Sequence, residues 1–155
     1  MRDKSRVPPV KFVAAASDAA AVPPSRRRQR KPTAQSVLFR NVLTTSVIVP
    51  RETNALVARF QDVLRRLEPE LPTRPNVAAT AGWLLREGFR FASRNRGHGL
   101  GGEEAAEGKT VQLYIHTERS TWAELQRWVV AEETTLAKVI PRLIELGAAH
   151  HPGPR

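Results

Sequence analysis

Lys109-Thr110-Val111-Gln112-Leu113-Tyr114-Ile115-His116 alternates apolar and polar side chains with a period of two. Leu43-Thr44-Thr45-Ser46-Val47-Ile48-Val49, sixty-odd residues earlier, is a second run of this kind, rich in β-branched residues and closed by Pro50. A period of two sends successive side chains to opposite faces, so each run predicts a half-buried strand. Alternation assigns Thr45, Val47, Val49, Val111, Leu113 and Ile115 to the buried face. It leaves Thr44, Ser46 and Ile48 outward on the first strand, and Thr110, Gln112 and Tyr114 outward on the second.

Each strand is succeeded by a pair of helical patterns. Between Thr53 and Glu68 the apolar residues Leu56, Val57, Phe60, Val63, Leu64 and Leu67 recur at three-four spacing, opposite Arg59, Asp62, Arg65 and Arg66, which predicts an amphipathic helix stopped by Pro69, Pro72 and Pro75. Asn76 is then placed to cap a helix running to about Ala92, with Val77, Ala81, Leu84, Leu85 and Phe89 as its apolar face. After the second strand, Thr121 and Glu124 have capping-box spacing, and Trp122, Leu125, Trp128 and Val129 form an inward stripe. Thr135 is placed to cap a last helix with Leu136, Val139, Ile140, Leu143 and Ile144 inward, ending near Gly147 and bent by Pro141.

The order is strand–helix–helix twice, predicting a mainly α fold with a two-stranded antiparallel β-ribbon. A lone strand leaves its backbone groups unpaired, and two helices alone bury too little apolar surface; pairing the strands and closing four helices over one face meets both needs. The domain reading is a flexible basic arm over 1–41, a first unit over 42–93, a glycine-rich linker over 94–108 holding five of the nine glycines, a second unit over 109–150 and a tail over 151–155.

Charge is unevenly spread over these parts. Of the formal net charge of +10, residues 1–40 contribute ten Lys/Arg against two Asp, residues 41–100 nine against five, and residues 101–155 six against eight. The polyanionic partner that this basicity suggests would therefore meet the arm first, through Arg26-Arg27-Arg28-Gln29-Arg30-Lys31. The arm's Pro, Ala, Ser and Arg lack apolar periodicity, so it has little means to offset the entropy of ordering.

Several chemistries are set aside. Gly102-Glu103-Glu104-Ala105-Ala106-Glu107-Gly108-Lys109-Thr110 superficially suggests a phosphate-binding loop, but it has one residue too many between glycines, precedes a strand, and carries three glutamates that repel phosphate. With no cysteine and only His98, His116, His150 and His151, no metal site is expected. No nucleophile sits in a recognisable catalytic context, so neither an enzyme nor a cofactor is expected. The absence of an eighteen-residue apolar run or an apolar leader after Met1 points to a soluble, cytoplasmic protein without a membrane partner. Trp83, Trp122 and Trp128, at helical spacing, read as core residues.

The run Val111-Gln112-Leu113-Tyr114-Ile115, the helix through Ala131-Glu132-Glu133, and Thr135-Leu136-Ala137-Lys138-Val139-Ile140 resemble the strand and two helices of the ribbon-helix-helix (Arc/MetJ-type) DNA-binding family. The first unit, Thr44 to Pro50-Arg51-Glu52 and then Asn76-Val77, is similar but has a longer turn between helices. The resemblance implies two tandem units in an intramolecular pseudo-dimer, with the ribbon's outward side chains in the major groove of double-stranded DNA. Thr44, Ser46, Ile48, Thr110, Gln112 and Tyr114 then become base contacts: Gln suits an adenine edge, Ser and Thr donate or accept, and Ile48 suits a thymine methyl. Phosphate contacts are expected at the second-helix N-termini, Asn76 and Thr135, and from Arg51, Arg74, Lys109, Lys138 and the arm's Arg26, Arg27, Arg28, Arg30 and Lys31. Single-chain tandem members look like accessory factors of plasmid conjugation and T-DNA transfer that assist a relaxase; a transcriptional repressor is the other family role. An antitoxin-like or scaffold module gripping a protein through the arm or the C-terminal segment is the alternative class.

Overall fold

The structure, a computed structural model, describes residues 31–95 and 108–152. Its elements are α1 (Ala34–Leu38), β1 (Val42–Pro50), α2 (Arg51–Leu67), α3 (Val77–Arg94), β2 (Thr110–Glu118), α4 (Arg119–Ala131) and α5 (Leu136–Ala149). The molecule is mainly helical, and β1 and β2 pair antiparallel as a two-stranded sheet. Among the described residues, no helix is long and apolar enough to cross a membrane.

Pairing opposes Val42 to Glu118, Ser46 to Tyr114 and Pro50 to Thr110. Burial alternates along both strands as expected: Val49, Leu113, Ile115 and Thr117 are buried, Thr45 and Val47 half-buried, and Thr44, Ser46, Ile48, Gln112 and Tyr114 exposed. The buried face lies against helices, α3 on β2 and α5 on β1. A one-residue slip would turn the inner row to solvent, so burial of one face holds the register.

α3 is the centre of the core. Its residues Ala79 to Leu85 are all buried, and it packs against α5, α2, β2 and α1. Trp83 is 1% exposed, stacks on Phe60 with centroids 5.8 Å apart, and donates its indole N–H to Glu68 Oε1 at 3.4 Å. Three glycines permit backbone contact at this centre. A Cβ on Gly82 would lie 1.6 Å from the His116 carbonyl oxygen, one on Gly88 1.8 Å from the Leu143 oxygen, and one on Gly147 2.1 Å from the Leu84 oxygen. Gly147 is therefore a crossing residue inside α5, which runs on through Pro141 to Ala149, and not the helix terminator expected from its position.

Both strands run straight into helices. Pro50 and Glu118 stand at the N-cap positions with extended backbone and no side-chain cap, so α4 starts at Arg119, and Thr121, expected as the cap, lies within its first turn. Trp122 and Trp128 are half-buried against the core.

The packed unit also begins upstream of the boundary expected at Val42. Thr33 and Ser36 form a capping box at α1, and Ala34, Leu38 and Phe39 are buried. Arg86 fastens this segment to α3: its Nη1 donates to the Leu38 carbonyl at 3.0 Å and its guanidinium lies 5.4 Å from the Phe39 ring centroid. Burial, reinforced by Arg90, pulls the Arg86 pKa below its ordinary range, against the opposing pull of Glu87, whose Oε1 is 3.4 Å away. Five residues are too few to show a helical period, which is why the segment reads as arm in the sequence.

Candidate nucleic-acid interface

The outward face of the ribbon consists of rows set by the register. Thr44 lies opposite His116, Ser46 opposite Tyr114, Ile48 opposite Gln112, and Pro50 opposite Thr110. Directly opposed residues share a face in an antiparallel pair, with Cβ atoms about 5 Å apart. Five of the six residues expected to read bases thus form one continuous surface, with Thr110 at its Pro50 end. From Thr44 to Ile48 the surface spans about 13 Å at ~3.3 Å per residue.

This surface is polar at its edges but carries two large apolar side chains in the open, Ile48 at 57% and Tyr114 at 55% exposure. Two side-chain hydrogen bonds organise it. Gln112 Nε2 donates to Ser46 Oγ at 3.0 Å, and Thr44 Oγ1 lies 3.0 Å from His116 Nδ1. The Gln112 amide is thereby held across the strands, while its carbonyl oxygen has no protein partner among the described residues.

His116 belongs to this surface beyond the outward set Thr110, Gln112 and Tyr114 that the sequence predicts for the second strand. Alternation puts His116 on the same face as Gln112 and Tyr114, and the register, which no single strand reveals, sets it opposite Thr44. Burial holds the His116 imidazole below its ordinary pKa, so it is neutral near pH 7.

Cations bracket the ribbon. At one end the Arg51 N–H donates to the Lys109 carbonyl at 2.9 Å; at the other the Arg119 N–H donates to the Asn41 carbonyl at 3.3 Å, and the Arg40 N–H donates to Glu118 Oε1 at 3.2 Å. Arg40, Arg51, Lys109 and Arg119 are all exposed. Arg40 and Arg119 were not singled out in the sequence. A signal was present in Pro50-Arg51 and Glu118-Arg119, each an arginine directly after a strand.

The second-helix N-termini differ from one another. Asn76 Oδ1 accepts from the Ala79 N–H at 2.7 Å, and Gln61 Nε2 donates to the Pro75 carbonyl at 2.8 Å, so the start of α3 is tied into the protein. Thr135 occupies the N-cap of α5 without a side-chain bond to the helix, contrary to the expected cap. Both residues are exposed, as is Lys138 in the first turn of α5. Arg74 is engaged by Asp62 at 3.1 Å, which offsets its charge. Lys31 is exposed; Arg26, Arg27, Arg28 and Arg30 lie outside the described residues.

No family model, curated protein or solved structure matches this chain.

Proposed function

We propose that this protein binds double-stranded DNA in a sequence-specific manner, as two tandem ribbon-helix-helix units folded into an intramolecular pseudo-dimer with its β-ribbon in the major groove. The observation that carries the reading is the solvent-facing ribbon itself: Ile48 and Tyr114 stand exposed among hydrogen-bonding side chains, with arginine or lysine at both ends. A two-stranded ribbon fits a groove about 12 Å wide. A surface about 13 Å long covers roughly four base pairs.

The pseudo-dimer is supported by paired equivalences. Val42 and Thr110 start the strands and Arg51 and Arg119 the first helices, each pair 68 residues apart. The two bonds at the ribbon ends, Arg51 to Lys109 and Arg119 to Asn41, exchange under that same shift. Val77 and Leu136 start the second helices 59 residues apart. Under this second shift Leu84 becomes Leu143 and Gly88 becomes Gly147, so the contact of Gly88 with Leu143 and that of Gly147 with Leu84 are one contact made twice. Reciprocal contacts of this kind are what a twofold interface produces. The nine residues by which the shifts differ are the four by which α2 is longer than α4 and the five by which the turn after it is longer.

The two strands present different side chains, Thr44, Ser46 and Ile48 against Gln112, Tyr114 and His116. The preferred DNA site is accordingly asymmetric, unlike the palindrome of a symmetric homodimer. Arg40, Arg51, Lys109, Arg119, Lys138 and the two second-helix N-termini supply phosphate contacts, as does the Arg26–Lys31 run. The family roles that fit this reading are a conjugation or DNA-transfer accessory factor working with a relaxase, and a transcriptional repressor; the activity is binding without catalysis.

Selection from a randomised duplex pool, followed by gel shifts of wild type and the Gln112→Ala/Tyr114→Ala variant across salt, tests the reading. A non-palindromic site whose preference over random duplex is lost in the variant is the expected result. Unchanged specificity in the variant removes the ribbon as reader. If no duplex is bound above background, the protein-interaction class takes over.

A further inference from the structure

The two first helices are unlike in the charge they present. α2 begins at the Pro50 end of the ribbon and α4 at the Glu118 end, which antiparallel pairing places opposite one another. α2 exposes Arg59, Arg65 and Arg66. The end of α4 exposes Glu132 and Glu133 beside Val130, which at 78% is the most exposed large apolar side chain among the described residues. Among the described residues, none of these five charged side chains makes an ion pair.

The backbone at the end of α4 sharpens the contrast. Glu133 has φ of 52°, in the left-handed region. The Glu133 N–H donates to the Val130 carbonyl at 3.2 Å and the Thr134 N–H to the Val129 carbonyl at 3.1 Å, the two bonds of a Schellman helix end. Glycine is the usual residue at that position, because a side chain there costs free energy. Glu133 thus keeps a backbone conformation that disfavours a side chain, next to an apolar side chain that nothing covers among the described residues.

We propose that this protein associates with further copies of itself head to tail, the Arg59/Arg65/Arg66 face of α2 on one copy meeting the Val130–Glu133 end of α4 on the next. The occupant is a second copy because the complementary charge is present on this same chain, unpaired and on the other half of the fold. Such a contact joins two different surfaces, so each copy keeps one free surface of each kind, and open arrays form instead of a closed dimer. An asymmetric pseudo-dimer allows this polarity, which a symmetric homodimer with equivalent ends lacks. The contact is small and exposed, and therefore weak and salt-sensitive.

Sedimentation velocity of the full chain without nucleic acid, from roughly micromolar to millimolar concentration, tests this independently of DNA binding. Wild type should show a sedimentation coefficient that rises with concentration and falls back on adding salt. Arg65→Glu/Arg66→Glu and Glu132→Arg/Glu133→Arg should each weaken association about tenfold or more. Mixing the two charge-reversed proteins should restore it, since each then carries what the other lost. Glu133→Gly should weaken association while raising the melting temperature, which separates loss of the contact from loss of the fold. A wild type that stays monomeric throughout, variants that associate as wild type does, or a mixture that fails to restore association would each overturn the proposal. So would an Arg65→Glu/Arg66→Glu protein that associates normally but binds every duplex more weakly, since its arginines would then be phosphate contacts.

Discussion

Replacing Gly88 or Gly147 with alanine should destabilise the protein, although glycine-to-alanine changes inside helices ordinarily stabilise by about 1 kcal/mol. The added Cβ would fall short of ordinary van der Waals contact with a backbone carbonyl oxygen by about 1.6 Å at Gly88 and about 1.3 Å at Gly147. Backbone cannot rotate aside as a side chain does, so α3 and α5 must move apart. That motion loosens the buried leucine and isoleucine contacts between them, among them Leu84, Leu85, Leu143 and Ile144. Overpacking of a tight core costs about 1–3 kcal/mol, and a clash with backbone belongs at the upper end, which leaves a net loss of about 2 kcal/mol per substitution after the helix-propensity gain. Because both glycines serve one crossing, the separation forced by the first substitution makes room for the second. The double variant should therefore lose less than the sum of the single losses, by about 1 kcal/mol. Urea unfolding followed by far-UV circular dichroism measures all three, with Ser93→Ala, an exposed change on α3, as the control within about 0.5 kcal/mol of wild type. A Gly147→Ala protein more stable than wild type, or strictly additive losses, would refute the reciprocal crossing.

Three further outcomes rest on the same geometry. The folded state favours neutral His116, so the unfolded chain takes up the proton first as pH falls below the ordinary value of 6.5; stability should be flat above that pH and decline below it. Urea midpoints at about pH 7.5 and pH 5.5 should show a smaller decline in His116→Gln than in wild type, and equal declines would count against the assignment. On the proposed DNA-binding reading, Arg119→Ala should weaken binding to all duplexes alike and lower the slope of log affinity against log salt by about 1, whereas a change confined to one sequence would make Arg119 a base reader. Arg86→Met should free α1, speeding amide exchange at Ala34 to Phe39 and costing about 1–3 kcal/mol; unchanged exchange there would mean that packing alone holds the segment.

The face of each strand was legible in the sequence because the side-chain period is two whatever the strand pairs with. Thr44, Ser46, Ile48, Gln112 and Tyr114 lie on the exposed face assigned by alternation. The amphipathic stripe from Val57 to Leu67 was legible for the equivalent reason, the helical repeat. Helix starts were less so. Thr121 has the chemistry of a cap but lies within α4, because the strand passes directly into the helix and leaves no turn for a cap to close.

The sequence by itself determined the element order, the inner and outer faces of both strands and the uneven spread of charge, since these depend on neighbours along the chain and on composition. Only the tertiary structure decided the register, which sets His116 opposite Thr44 and Tyr114 opposite Ser46. It likewise decided that Gly82, Gly88 and Gly147 are places where backbone meets backbone, and that residues 33–39 belong to the packed unit. Each of these depends on residues distant along the chain, and periodicity within one segment carries no information about which distant segment will lie against it.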